Sequence, residues 1–326
     1  MSPQHSSLLS VVRFCHNSNP WQDASLAPLF SGPPSDAASV QIGFLPPDVV
    51  AAVRRDTDAC AKAKGGPPAV RWSDDGKQFW INEQLGSAQA RTDALNALAQ
   101  HWRANKTFAN PLDGWRDELY AVYGPPDPAS SSAARPSAFL NLERAACALF
   151  GVATFGVHAT AYTPDYQIWV PRRSATKSTW PGYLDNSVAG GITAGDRPYE
   201  SMVRECAEEA GLEETLVRSC TKQTGVISYF YTTPEGWVQP EVEFTYDIAL
   251  PADVVPRPVD GEAESFELMS VEQCVASMRR GEWKANSALV LIDFLLRHGL
   301  LTYETLDCDF LALTCALHAD LGLPGC

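Results

Sequence analysis

No apolar run in the 326-residue chain approaches the roughly 20 residues that a membrane-spanning helix needs, so no membrane partner is expected. Positive charge is also scarce. Lys and Arg number 25 against 39 Asp and Glu, a net charge of −14. Nucleic acids and anionic lipid surfaces are gripped by basic patches, which argues against both as partners. An anionic small molecule fits only where a cation offsets the local negative charge. The nine cysteines form no Cys-x-x-Cys pair and no four-ligand zinc spacing. No secretory signal is read, and Cys326 is not fourth from the end as prenylation requires. Reduced thiols in a cytoplasmic protein are therefore expected. No internal repeat is found. Apolar residues are plentiful at 45%, enough to build a sizeable core in one large domain or two ordinary ones.

One stretch organises the rest. Gly190 to Leu212 reads GGITAGDRPYESMVRECAEEAGL, a glycine-containing loop running into a helix with Arg204, Glu205, Glu208 and Glu209. Positions three and four apart share a helix face, so Glu205 lies beside both Glu208 and Glu209. Met202, Val203, Cys206 and Ala210 give the same helix apolar positions to bury. Like charges at this spacing cost roughly 0.2–0.5 kcal/mol per pair. A hard divalent cation reverses that sign, because Mg2+ takes oxygen ligands and completes its shell with water and substrate phosphate. Arg204 can pair with a neighbouring carboxylate and fix its orientation. Taken alone, such a run also reads as a solvated acidic helix face.

Before this stretch, helices are expected from Ser7 to Cys15, from Pro46-Pro47 to about Ala63, and through Trp102 from a cap at Thr92 or Asp93. Gln41–Leu45 reads as a strand, and Val70 to Ile81 as two short strands around Asp74-Asp75-Gly76. Trp115, Leu119, Tyr120 and Tyr123 read as core, with Arg116, Asp117 and Glu118 in surface pairs. Gly124–Pro136, GPPDPASSSAARP, is linker-like, and a boundary is set at Pro136. Residues 1–136 then form a smaller α+β domain, a candidate wall of a substrate pocket, and 137–326 a second domain. Phe139–Phe150 is expected to be a short helix.

In the second domain, Tyr166–Val170 and Val226–Tyr231 read as strands. Arg172, Arg173 and Lys177 lie in a loop where they could contact a diphosphate or form an ordinary basic loop. Glu241–Leu250 alternates apolar and polar residues, so one face of that strand is apolar. Ser270–Arg280, Ala285–Arg297 and the tail Thr302–Leu323 read as helices. Trp180, Tyr183, Tyr229 and Trp237 could stack on a ligand ring or simply pack.

The Gly190–Leu212 stretch resembles the Nudix box. That pattern is Gly, five residues, Glu, seven residues, Arg-Glu, an aliphatic residue, any residue, Glu-Glu, any residue, Gly, an aliphatic residue. Gly190, Arg204, Glu205, Glu208, Glu209, Gly211 and Leu212 match it. Asp196 stands where Glu is usual, and Cys206 where an aliphatic residue is usual. The resemblance extends over most of residues 8–305, through GWRDELYAVY, IWVPRRSATKSTWPGYLDNSVAGG and QPEVEFTYDIALP. These segments look like the fungal and plant Nudix subgroup related to the Nudix part of thiamine pyrophosphokinase fusions.

That resemblance implies an α/β/α sandwich with a mixed sheet behind an N-terminal domain. It implies Mg2+, with Mn2+ as an alternative, on Glu205, Glu208, Glu209, the backbone of Gly190 and one acidic ligand from beyond the box. Glu243 is the first candidate for that ligand, beside Glu241, Glu262 and Glu264. Arg204 would orient Glu205, and Arg172, Arg173, Lys177 and Trp180 would contact substrate. The implied reaction is hydrolysis of oxidised (oxo or oxy) thiamine diphosphate to the monophosphate and phosphate. An ADP-ribose, dinucleotide or CoA pyrophosphatase, and a non-catalytic Nudix-fold binding protein, are the alternatives.

Overall fold

The computed structural model describes residues 4–125, 137–306 and 310–325. The linker-like run beyond Pro125, with the boundary at Pro136, and Cys326 lie outside the described residues. Local chemistry accounts for most element starts. Helix α1 (Leu8–Cys15) begins at Ser7, whose hydroxyl accepts from the Ser10 amide in a reciprocal capping box. Strands β1 (Ala27–Phe30) and β2 (Gln41–Leu45) follow. Pro47 then opens helix α2 (Pro47–Lys64), and Gly65, at φ 70°, ends it. Strands β3 (Val70–Trp72) and β4 (Phe79–Ile81) complete a four-stranded sheet in the order β2-β1-β4-β3.

Helix α3 (Ala88–Ala104) starts a turn earlier than expected. Ser87 caps it, while Thr92 is buried inside it and accepts from the Asn141 amide. A short helix α4 (Ala109–Leu112) precedes the antiparallel pair β5 (Leu119–Val122) and β6 (Leu140–Glu143). The expected helix over Phe139–Phe150 is therefore corrected. Only helix α5 (Cys147–Phe150) is α-helical, after β6 and a 3-10 turn at Arg144–Ala146. Side chains of α3 hold β6 extended: Thr92 Oγ1 takes the Asn141 amide and Asn96 Oδ1 the Glu143 amide, each at 2.8 Å. Leu29, Phe79, Trp102, Leu142 and Phe150 centre the core of this first unit.

The second unit is built on strands β7 (Thr154–Tyr162), β8 (Ile168–Arg173) and β9 (Val188–Gly191). Helices α6 (Pro198–Ala210) and α7 (Glu214–Cys220) lead to strands β10 (Thr221–Thr232), β11 (Val238–Ala249) and β12 (Ala263–Met269). Helices α8 (Val271–Arg279), α9 (Ala285–Arg297) and α10 (Phe310–Ala316) close the chain, so the helix expected over Thr302–Leu323 is corrected to Phe310–Ala316 among the described residues. The mixed sheet runs β10-β11-β7-β8-β12, with β11 parallel to β7. Strand β7 changes partner along its length. Gly156–Ala159 pair with β9, and Tyr162 pairs with the start of β8.

One sheet face takes α6, with Val157, Ala159, Tyr246 and Ile248 against Met202, Val203 and Cys206. The other takes α1, α8, α9 and α10 around Ile227, Tyr229, Leu289 and Phe294. This is the α/β/α sandwich expected, behind a smaller α+β unit. The polar face of β11 does not meet water: Glu243, Thr245 and Asp247 are all buried.

Candidate active site

Helix α6 begins with Pro198 and ends at Gly211, where φ is 62°. Its apolar positions are pulled under the sheet, which turns the opposite edge toward β9. There Glu209 accepts the Ala189 amide at 2.9 Å. The Glu205 carboxyl lies against the Cα of Gly190, so any Cβ at that position would overlap it. Gly191 is confined in the same way by the Tyr120 hydroxyl. At both glycines the close approach is made by the protein's own side chains.

Arg204 binds Asp196 at 2.6 Å and Glu205 at 3.4 Å, with Glu208 at 4.0 Å. Asp196 therefore braces the arginine that orients Glu205. Glu208 is the outermost of the three box glutamates, its side chain 57% exposed. Burial raises the Glu205 carboxyl above its usual range, against the pull of Arg204. Burial raises Glu209 much further. Both acids are held where a cation would be most effective in keeping them ionised.

A second acidic centre lies on β11. Glu243 pairs in register with Gly156, and its carboxylate fills the space a Cβ there would need. It accepts from the Tyr229 hydroxyl and the Asn286 amide, each at 3.0 Å, and faces His158 Nε2 at 3.5 Å. Burial would raise this carboxyl, but the charges of His158 and Lys284 and the Asn286 bond outweigh it and hold it below the usual range. Glu241 behaves oppositely. Burial, then the charge of Glu243, raises it. Tyr229 also bonds Glu241. A phenol carries one proton, so it donates to only one of the two carboxyls at a time.

These groups share one cavity of about 750 Å³, lined by Gly190, Glu205, Glu208, Glu209, Glu241, Glu243 and Glu262. Among the described residues, no three Asp, Glu, His or Cys side chains close around a single point as a finished ligand cage. The donors nevertheless suit a hard cation. They are carboxylate oxygens opening into one space beside the backbone of a glycine.

The remaining expected site residues divide. Arg173 lines the cavity, but its guanidinium binds buried Asp185 at 2.6 Å and the carbonyls of Thr179 and Trp180. Lys177 lines it and pairs with Glu262 at 2.6 Å, and Trp180 lines it as well. Arg172 is not in the lining and donates to the Gly182 carbonyl. Glu264 turns aside to accept the Ala175 amide. Tyr229 lies on the cavity wall, Tyr183 packs edge-on to Trp180, and Trp237 is in the first unit's core.

Comparison with known proteins divides the chain between two family models. The NUDIX domain model matches residues 153–290. A model described as Domain of unknown function (DUF4743) matches residues 37–154. Uncharacterized protein YJR142W of Saccharomyces cerevisiae is 36% identical over 249 residues, covering 72% of this chain and 69% of that one. The chain belongs to the Nudix hydrolase family. Nudix hydrolase 24, chloroplastic, of Arabidopsis thaliana is 39% identical over 242 residues, and the match spans 72% of this chain but only 61% of that protein's length. Among solved structures, DR0079 from Deinococcus radiodurans is 21% identical, with a TM-score of 0.37 covering 54% of this chain and 97% of that one.

The DUF4743 unit supplies residues that sequence reasoning missed. Arg116, Tyr120 and Arg144 all line the Nudix cavity. From the Nudix unit itself, His158, Lys284 and Asn286 were also missed. The sequence alone makes Tyr120 core and Arg116 surface, because nothing in their own segment records the proximity of Gly191. His158 carried a usable signal. It lies on β7 two residues beyond Gly156, which faces Glu243 across the strand pair.

Proposed function

We propose that this Nudix hydrolase cleaves a small-molecule diphosphate to a monophosphate and phosphate, with Mg2+ or Mn2+ on Glu205, Glu208, Glu209, Glu243 and the Gly190 backbone. The observation that carries the reading is the seating of Glu205 on Gly190, with Glu209 and Glu243 opening into the same cavity. A bound divalent cation supplies charge neutralisation for the diphosphate and acidifies the attacking water. The chain's own groups supply position, which phosphoryl transfer chiefly needs. Arg204, braced by Asp196, fixes Glu205. Tyr229 and Asn286 fix Glu243. A carboxylate of the cluster accepts the proton of the attacking water.

For the substrate we propose oxidised thiamine diphosphate, which rests on the family resemblance. The cavity is compatible with it: about 750 Å³ suits a cofactor-sized ligand, and Tyr120, Trp180 and Tyr231 offer rings on its wall. We also propose the cytoplasm as its compartment, a reading that cell fractionation tests. No helix among the described residues is long and apolar enough to cross a membrane.

The deciding experiment incubates the full chain and Mg2+ with thiamine diphosphate, its oxo and oxy forms, ADP-ribose and NADH, and identifies the products. Preference for the oxidised thiamine forms supports the whole reading. Preference for ADP-ribose or NADH keeps the chemistry and replaces the substrate. Metal binding without turnover of any of them favours a Nudix-fold binding protein. Glu209→Gln serves as the control, and full Mg2+-dependent activity in that variant would refute the metal-site assignment.

A further inference from the structure

Cations that line the cavity differ in how far the protein has already committed them. Arg173 is held by Asp185 and two carbonyls, and Lys177 by Glu262. The two arginines from the DUF4743 unit are held more lightly. Among the described residues, the Arg116 guanidinium makes one hydrogen bond, to Ser178 Oγ at 3.4 Å. Arg144 makes one ion pair, to Glu118 at 3.0 Å, and its guanidinium lies over the Tyr120 ring at 5.3 Å from the centroid. A guanidinium carries five donors in a fixed fork, so both residues line the cavity with donors left over from these contacts.

Their placement is built rather than incidental. Glu143 is 1% exposed, and one of its carboxylate oxygens accepts both the Arg116 amide at 2.9 Å and the Ala145 amide at 3.3 Å. This single buried carboxylate therefore sets the backbone that carries Arg116 and the turn that carries Arg144. The same segment is tied to the box loop. Leu119 O accepts the Ala194 amide at 2.8 Å, Glu118 accepts the Thr193 hydroxyl at 2.9 Å, and Tyr120 sits on Gly191. The two arginines are thus fixed relative to the glycines that position Glu205.

We infer that Arg116 and Arg144 bind the phosphate oxygens of the diphosphate whose metal-binding side faces the box, so that the DUF4743 unit is part of the substrate site. The inference rests on the diphosphate reading above. A diphosphate bound at an acidic helix needs positive charge on its far side as well as cations between. Guanidinium forks supply that charge with directional, paired hydrogen bonds.

The test is calorimetric titration of the full chain, in Mg2+, with methylenediphosphonate, which cannot be hydrolysed at its bridge. Arg116→Ala and Arg144→Ala are each expected to weaken binding about tenfold or more, with melting temperature and Mg2+ affinity unchanged. Arg144→Lys restores part of the loss, and Lys222→Ala, on the outer strand, binds as the unchanged chain does. Wild-type affinity in both alanine variants overturns the inference, as does failure of the unchanged chain to bind the probe. Hydrolysis separates the two claims. The inference predicts a raised KM in the arginine variants with a much smaller change in kcat. Turnover with unaltered KM in both variants would sink the inference and leave the hydrolase standing. Arginine-dependent probe binding without any turnover would do the reverse.

Discussion

Gly190 shows how one missing Cβ can shape a site. It is not among the positive-φ glycines, so its backbone would accept alanine. The obstacle is the Glu205 carboxyl packed on its Cα. Gly190→Ala should therefore fold normally and displace Glu205. A displacement of about 1 Å at a reacting centre costs on the order of a hundredfold in rate, so activity should fall at least that far. Circular dichroism and steady-state kinetics check the two halves, and normal activity would mean that Glu205 is not a working ligand. Arg204 acts one step further out. Arg204→Ala should weaken Mg2+ binding roughly 10–100-fold, as losing a residue that orients a metal ligand does. Asp196→Ala should move metal affinity in the same direction by less, because Arg204 keeps its contact with Glu205. Isothermal titration with Mg2+ measures both, and unchanged affinity in Asp196→Ala would remove the brace assigned to it.

The loop between β8 and β9 carries Lys177 and Trp180 into the cavity, and Asp185 ties it down. Asp185 is buried, bonded to Arg173 and to the Ser287 hydroxyl of α9, with Lys284 at 4.0 Å. Burial would raise its carboxyl, but Lys284, Arg173 and the Ser287 bond bring it to about 2 from an ordinary 3.8. A carboxyl lowered by folding contributes stability above its unfolded pKa and loses it as pH falls through the folded value. The window here is from about 3.8 down to about 2, and the contribution is about 2 kcal/mol. Asp185→Asn should cost more near neutral pH, about 3–5 kcal/mol, because half-buried Arg173 loses its charged partner and keeps only carbonyls. Urea unfolding as a function of pH should show the variant less stable at neutrality and the gap narrowing across that acid window; a constant gap would contradict the assigned shift. The sequence made α6 legible because its box spacing, apolar stripe and terminal glycine are all local. Strand β6 was not legible, because Thr92 and Asn96 on α3 hold its amides. The alternation of β11 revealed which residues share a face but not what covers that face. Asp247 on it is bonded by Arg297 at the end of α9 and by His298 just after it, and Glu243 by Asn286.

Across the whole molecule the two units complete each other. Helix α1 precedes the DUF4743 unit in the chain, yet Leu8, Val11, Val12 and Cys15 are buried in the core beneath the Nudix sheet. In the other direction, the turn joining β10 to β11 sends Trp237 into the first unit's core. It is 9% exposed there and meets Phe108 edge-on at 5.7 Å, which in turn meets Trp102 at 5.2 Å. A ring so enclosed leaves a cavity when truncated, and Trp237→Ala should cost about 3–5 kcal/mol. The loss should be uneven. The Nudix sheet keeps its own pairing on both sides of that turn, whereas the first unit loses a residue that fills its core. One urea transition in the unchanged chain should become two in the variant, with hydrogen exchange rising first in α3 and β4. A single transition with an unshifted midpoint would show that Trp237 only covers the first unit. The same coupling places Tyr120 and Arg144 at the Nudix cavity: they reach it from a unit whose core is closed, in part, by the hydrolase it faces.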